Sequence, residues 1–113
     1  MIFNSILIAN RGEIACRIIK TAKEMGIRSV AVYVDADKDA LFVKQADQSV
    51  RLKDGGYLDG NQIIDAAIKT GAQAIHPGYG FLSENSSFAR KVKKEGLVWI
   101  GPSPHVILSL IHI

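Results

Sequence analysis

The sequence predicts an α/β domain built on an open, mostly parallel, doubly wound sheet. Three observations predict it. First, a helical stretch ends in glycine and a short apolar strand follows, three times over: at Gly26, Gly71 and Gly96. Glycine just past a helix takes the left-handed backbone that closes the last turn. Second, the strands are continuous apolar runs rather than alternating ones, the pattern of a sheet covered on both faces. Third, strands and helices alternate along the chain, which right-handed crossovers assemble into a doubly wound sheet.

The elements follow in order. Ser5-Ile6-Leu7-Ile8-Ala9 is the first strand. In the first helix Ile14, Ile18, Ala22 and Met25 recur at helical spacing, with Ala15 and Ile19 beside them. The second strand ends at Val34, a short helical piece covers 40–46, and a strand runs from Ser49 to Leu52. Asp59 can cap the next helix, with Gln62 three places on in a capping-box pattern. Ile63, Ile64, Ala67 and Ile68 supply its buried stripe. The last helix covers 86–95 and buries Phe88, Ala89 and Val92, with Leu97 beyond its end; Arg90, Lys91, Lys93 and Lys94 form its solvated face.

With 113 residues the chain is long enough for one domain and too short for two. The charge of +3 is scattered, so nucleic acid is not an expected partner. A single cysteine excludes an internal disulfide and fits a reducing compartment. Cys16 lies in the apolar stripe of the first helix and reads as core filler. No apolar run approaches the roughly 20 residues of a membrane span. A strand begins almost at once, with no signal or transit peptide in front of it, so a cytoplasmic location is expected and no membrane partner.

Ligands of such sheets bind at the carboxyl ends of the strands, so the loops that follow the strands are the candidate sites. The first is Asn10-Arg11-Gly12-Glu13. It lacks the GxGxxG fingerprint, and Glu13 sits in the first helical turn, where it would repel phosphate. A tight turn, with a salt bridge or interface role for Arg11, is the preferred reading. The second is Asp35-Ala36-Asp37-Lys38-Asp39. A calcium loop starting at Asp35 would need glycine and glutamate where the chain has Ala40 and Ala46. A polar turn remains, with Asp37 or Asp39 capping the next short helix. The third loop is His76-Pro77-Gly78-Tyr79-Gly80-Phe81-Leu82-Ser83-Glu84-Asn85. Gly78 and Gly80 flank Tyr79, so the backbone can turn sharply and carry the ring outward. Ser83 or Asn85 can cap the following helix. The loop is either a ligand-side loop or a packed turn, and His76 reads as a hydrogen-bonded structural residue.

Two ten-residue stretches carry a resemblance. Ile8-Ala9-Asn10-Arg11-Gly12-Glu13-Ile14-Ala15-Cys16-Arg17 closely resembles the opening of biotin carboxylases, and His76 through Asn85 resembles their second signature. Ala46-Asp47 and Ile100-Gly101-Pro102-Ser103 are smaller matches, so the resemblance spans about residues 4–107. The stretch Asp35 through Leu41 is most similar to the α chains of propionyl- and methylcrotonyl-CoA carboxylases. The resemblance implies a Rossmann-like lobe preceding an ATP-grasp domain. It also implies an ATP-dependent ligase that activates bicarbonate and carboxylates carrier-bound biotin. Biotin, ATP and Mg²⁺ are the implied cofactors of the full-length enzyme, none of them bound tightly by this lobe alone. The implied partners are the ATP-grasp domain of the same chain, a biotin carrier domain and a carboxyltransferase component. By the same resemblance Tyr79 and Glu84 would lie near the mouth of the biotin pocket. Arg17 and Glu24 would lie at the interface of a homodimer, or be mere surface residues.

Two departures qualify the match. Phe42 stands where many relatives carry histidine, which counts against a polar role there. After Gly101-Pro102-Ser103-Pro104 relatives reach Met-Gly-Asp-Lys, whereas this chain reads Leu108-Ser109-Leu110-Ile111-His112-Ile113. The expected division is therefore 1–107 as the lobe and 108–113 as an aberrant tail on a truncated chain. A chain so composed is expected to lack catalytic residues and metal ligands, to turn over no ATP, and to expose an apolar docking surface. The competing readings are the equivalent lobe of another ATP-dependent ligase, and a non-catalytic nucleotide-binding α/β module.

Overall fold

The computed structural model describes residues 4–101. Its elements run β1 (Ser5–Ile8), α1 (Gly12–Glu24), β2 (Arg28–Tyr33), α2 (Leu41–Gln45), β3 (Gln48–Arg51), α3 (Gly60–Thr70), β4 (Ala74–His76), α4 (Ser86–Lys94) and β5 (Val98–Trp99). Short 3-10 turns cover Asp35–Asp37 and Gly56–Leu58. The five strands form one sheet in the order β3-β2-β1-β4-β5, and every pairing is parallel. The expected α/β architecture is present, with a sheet wholly rather than mostly parallel.

Period-two alternation along the strands divides the core between the two faces of the sheet. Ile6 and Ile8 of β1 join Ala31, Ala74 and the buried residues Ala15, Ile19 and Ala22 of α1, with Phe42 of α2. Leu7 and Ala9 point the other way and join Val30, Val32, Ile75 and Trp99 with Ile63, Ile64 and Ala67 of α3 and Phe88, Ala89 and Val92 of α4. Phe42 is 1% exposed, so the position is an apolar core site. Cys16 is half-buried and packs against the α1 core, and burial pushes its thiol up, away from reactivity.

Two helix stripes are rotated from the expected ones. On α1 the buried residues are Ala15, Ile19 and Ala22, while Ile14 and Ile18 are half-buried and Met25 is exposed. The helix carries two adjacent apolar stripes, and one of them faces the sheet. On α3 the buried set is Ile63, Ile64, Ala66 and Ala67, and Ile68 is exposed. Ala66 lies on the face that meets the strands, and Ile68 falls outside it.

Helix ends follow their side chains. The Asp59 carboxylate accepts from the Gln62 N–H and caps α3. The box closes differently from expectation: the Gln62 side-chain amide donates to the Asp59 carboxylate, and its carbonyl accepts from the Lys53 N–H. Gly71 ends α3 at φ 74, in the left-handed conformation expected of it. Asn85, not Ser83, caps α4 by accepting from the Phe88 N–H. Neither Asp37 nor Asp39 caps α2, whose first flanking residue is Ala40 with no side-chain bond. Arg90, Lys91, Lys93 and Lys94 are exposed along α4, as expected.

Strand order places the functional edge. From β1 the chain moves outward to β2 and β3, then returns to lay β4 on the other side of β1. The loops leaving β1 and β4 therefore diverge at a topological switch point, where sheets of this kind form a crevice.

Candidate functional site

Asn10, the second residue after β1, is 1% exposed and joins the two loops. Its side-chain Nδ2 donates to the carbonyl oxygens of Pro77 (2.8 Å) and Tyr79 (2.6 Å), and its Oδ1 accepts from the Arg11 N–H (2.8 Å). Three hydrogen bonds satisfy a polar group that would be costly to bury alone. The β4 loop must pass close to Asn10, and Gly78 permits this. Gly78 has φ 66, and a Cβ there would stand 2.7 Å from Asn10 Nδ2 and 2.9 Å from Ile14 Cγ2. His76 makes a hydrogen bond of the kind its sequence context suggested. Its Nδ1 accepts from the Gly78 N–H at 3.1 Å, and burial pushes its pKa down, favouring the neutral ring that such acceptance requires.

The loop carries Tyr79 outward, with 79% of the residue exposed. Tyr79 stands on a cleft of about 790 Å³ whose lining includes Ile14, Ile18 and Met25 of α1, His76 and Gly78 of the loop, and Ile100 after β5. The second apolar stripe of α1 is thus one wall of this cleft. Phe81 lies two residues on, in the left-handed backbone region at φ 46, and its ring packs on Tyr57 with centroids 5.3 Å apart.

A second network ties the β2 loop to the same edge. Asp37 is 7% exposed. Its Oδ2 accepts from Arg11 Nε (2.7 Å) and from the Tyr57 hydroxyl (2.7 Å), and its Oδ1 accepts from Arg11 Nη2 (2.8 Å). The guanidinium holds the Asp37 carboxyl below the usual carboxylate range, against the opposing effect of burial. Burial and the bond to Asp37 raise the Tyr57 phenol, so it remains a donor at neutral pH. The hydroxyl also accepts from the Val34 N–H at 3.4 Å. Asp35, by contrast, is exposed and pairs with Arg51 at the surface.

A model of the family described as the N-terminal domain of biotin carboxylase matches residues 2–107. The chain belongs to this biotin carboxylase family. The methylcrotonoyl-CoA carboxylase subunit alpha of Oryza sativa subsp. japonica is 57% identical over 109 residues, covering 93% of this chain and 15% of that protein. The propionyl-CoA carboxylase alpha chain of Ruegeria pomeroyi is 55% identical over 112 residues, covering 96% of this chain and 16% of that one. Among solved structures, the biotin carboxylase domain dimer of Hydrogenobacter thermophilus 2-oxoglutarate carboxylase superposes with a TM-score of 0.91 at 46% identity. That match covers 96% of this chain and 24% of that one, and that structure holds MgADP, ADP and bicarbonate. The biotin carboxylase lobe thus spans under a quarter of each of these proteins.

Within the biotin carboxylase lobe the four residues singled out by resemblance fall into two groups. Tyr79 and Arg17 both line the cleft, whereas Glu84 and Glu24 are exposed and do not. Arg17 pairs with Glu13 one turn back at 3.1 Å, both side chains 78% exposed, so the pair contributes little stability. Among the described residues no group of three or more His, Cys, Asp or Glu is placed to hold a metal ion. The N-terminus of α1 does not fit a nucleotide phosphate: Glu13 occupies its first turn and the Arg11 guanidinium is committed to Asp37. The stretches expected at Pro102 to Ser103 and 108–113 lie outside the described residues.

Sequence reasoning left open what Arg11 does, and the structure gives it a salt bridge to Asp37. It missed Asn10 and Tyr57. Asn10 carried a signal, an amide directly after an apolar strand at the expected ligand edge. Tyr57 carried none, since its partner Asp37 is 20 residues away in a different turn.

Proposed function

We propose that this lobe supplies one wall of the biotin cleft in a longer ATP-dependent biotin carboxylase. ATP and Mg²⁺ are handled by an ATP-grasp domain elsewhere in that enzyme, which activates bicarbonate for transfer to biotin on a carrier domain. Tyr79 is the observation that carries the reading. It is an exposed ring at the carboxyl edge of the sheet, on a loop anchored by buried hydrogen bonds, beside an apolar cleft. Fixed backbone with a free side chain is what a ligand-facing position requires. Glu84, exposed on the same loop, is the second candidate at the pocket mouth. Arg17, on the lining of the same cleft, and Glu24, two turns on along α1, are both exposed and are the candidate contacts of a homodimer, a state in keeping with the dimer of the Hydrogenobacter domain.

The final carboxyl acceptor is chosen by a carboxyltransferase component. Relatives named for methylcrotonoyl-CoA, propionyl-CoA and urea match this lobe at 57%, 55% and 56% identity, so the lobe itself does not select among them. A cytoplasmic location is part of the reading, whereas the relatives from Oryza sativa and Arabidopsis thaliana are mitochondrial by name. No helix among the described residues is long and apolar enough to cross a membrane. The decisive experiment is Tyr79→Ala in the intact enzyme. Loss of a ring from a ligand wall should raise KM for biotin about tenfold while ATP binding is unchanged. An unaltered KM for biotin would mean that the ring serves only to cover the loop.

A further inference from the structure

We propose that Asp37 is a positioning residue for the loop that carries Tyr79, acting through the Tyr57 ring on Phe81. Its functional meaning rests on the reading of Tyr79 given above. The mechanical link stands on separate observations.

The Tyr79 side chain, 79% exposed, does little to hold its own loop. The loop is held on one side by Asn10, which binds the carbonyls of Pro77 and Tyr79. Beyond Tyr79 the chain enters a turn closed by the Ser83 N–H donating to the Gly80 carbonyl and seated by the buried Leu82 and Ser83, and Phe81 is the residue of that turn that reaches another loop. A bulky residue in left-handed backbone is unfavourable and persists only where its surroundings over-determine it. Phe81 is 42% exposed, so burial alone does not impose the conformation. Its aromatic partner is Tyr57, which sits on the 3-10 turn Gly56–Leu58 between two positive-φ glycines and the capping Asp59. Backbone bonds from Leu58 to Gly55 and from Asp59 to Gly56 close this turn, and the Tyr57 ring is buried in the core, so the hydroxyl is the part of the residue left to be fixed by a polar partner. The Tyr57 hydroxyl is pinned at 2.7 Å to a carboxylate that Arg11 grips with two further bonds. Arg11 adjoins Asn10, so both ends of the Tyr79 segment are referred back to the same two residues after β1. Asp37 is the junction at which the exits of β1, β2 and β3 meet, and the β4 loop joins it through Phe81 on Tyr57.

The test measures amide hydrogen exchange and aromatic chemical shifts in the 113-residue chain and three variants. Tyr57→Phe keeps the ring but cuts it from Asp37, Asp37→Asn weakens the grip of Arg11, and Phe81→Ala removes the far contact. Amides 78–84 should exchange at least tenfold faster in each variant, relative to amides of β1, β2 and α3. The Phe81 ring resonances should move toward free values in Tyr57→Phe. Unchanged exchange of 78–84 in Tyr57→Phe, or a uniform rise across all amides in every variant, would overturn the proposal. In the intact enzyme Tyr57→Phe should raise KM for biotin with kcat little changed. A loop that loosens while KM stays fixed would uphold the link to Asp37 and remove the reading of Tyr79 as a ligand wall.

Discussion

Gly78 and Gly80 flank the same tyrosine and both have positive φ, yet only one has a neighbour. An added Cβ at Gly78 would stand 2.7 Å from Asn10 Nδ2, whereas nothing lies within 4 Å of one at Gly80. Gly80→Ala should therefore cost about 1–2 kcal/mol, the left-handed backbone penalty alone. Gly78→Ala should cost roughly 3–5 kcal/mol, because it also displaces a buried hydrogen-bonded amide. Urea unfolding of the two variants distinguishes them, and equal losses would mean that the Asn10 contact is dispensable. The glycines were legible as a hinge, but their inequality was not, because it depends on a residue 68 positions away in sequence that the sheet brings alongside. The same separation hid the Asn10 bonds.

Acidity acts on this edge in two steps of the same sign. His76 has a folded pKa lowered by burial. Protonation below its unfolded value of about 6.5 therefore favours the unfolded chain. Asp37 also has a lowered folded pKa, set by Arg11. Its contribution is complete above an unfolded value of about 4 and is lost as pH falls through the folded one. Urea midpoints measured from pH 7 to 2.5 should fall first near pH 6 and again below pH 4. Asp37→Asn should shrink the second decline, to which the lowered Asp35 and Asp59 carboxyls also contribute, and keep the first. A variant whose stability tracks the parent below pH 4 would show that the carboxylate is not linked to folding.

At the scale of elements, propensity and packing disagree at the start of α3. Gly60 is its first residue, and helix propensity favours alanine over glycine by about 1 kcal/mol. A Cβ there would lie 2.6 Å from Phe88 Cδ1 on α4, and Phe88 is itself buried against Trp99, their rings edge to face. Gly60→Ala should thus destabilise by about 1–3 kcal/mol despite the better propensity. A rise in thermal midpoint would mean that α4 yields easily. Element identity was legible almost throughout, because glycine stops and apolar runs are local signals. Which stripe of α1 faces the sheet was not. Ile14–Ile18 and Ala15–Ile19 have the same period, and only the approach of the strands selects the smaller alanine-bearing face for close packing. The β2 exit was misread for a related reason: a local rule made Asp37 a cap, while the buried partners Arg11 and Tyr57 claimed it.

For the whole molecule, the prediction concerns what one lobe can do. The described residues present a cleft that includes the loop after β4, but no group of metal-ligating side chains, and Glu13 stands in the first turn of α1. The purified 113-residue chain should release no phosphate from ATP above background, with or without bicarbonate. Titration with ATP, AMP or NAD should give no saturable signal at micromolar concentrations. Bicarbonate-dependent turnover would refute this division of labour, and tight binding of any of the three nucleotides would favour a nucleotide-binding module instead. Fold and family were legible because two long signatures and the strand–helix rhythm survive in the linear chain. The tie between three loops was not, because it exists only at the edge where the strands converge.

The strand order has a consequence for biosynthesis. β1 is made first yet lies in the middle, with β2 on one flank and β4 on the other. Residues 5–51 can emerge from the ribosome and assemble the β1-β2-β3 half while the second flank of β1 is still bare. That flank is a row of unpaired backbone groups on a strand whose side chains are all buried in the finished sheet. Until β4 has left the exit tunnel the nascent chain carries an adhesive seam, and a stall in that interval would leave it exposed to a neighbouring polysome. Holdase binding to nascent chains should peak in that window and fall once β4 has cleared the exit tunnel.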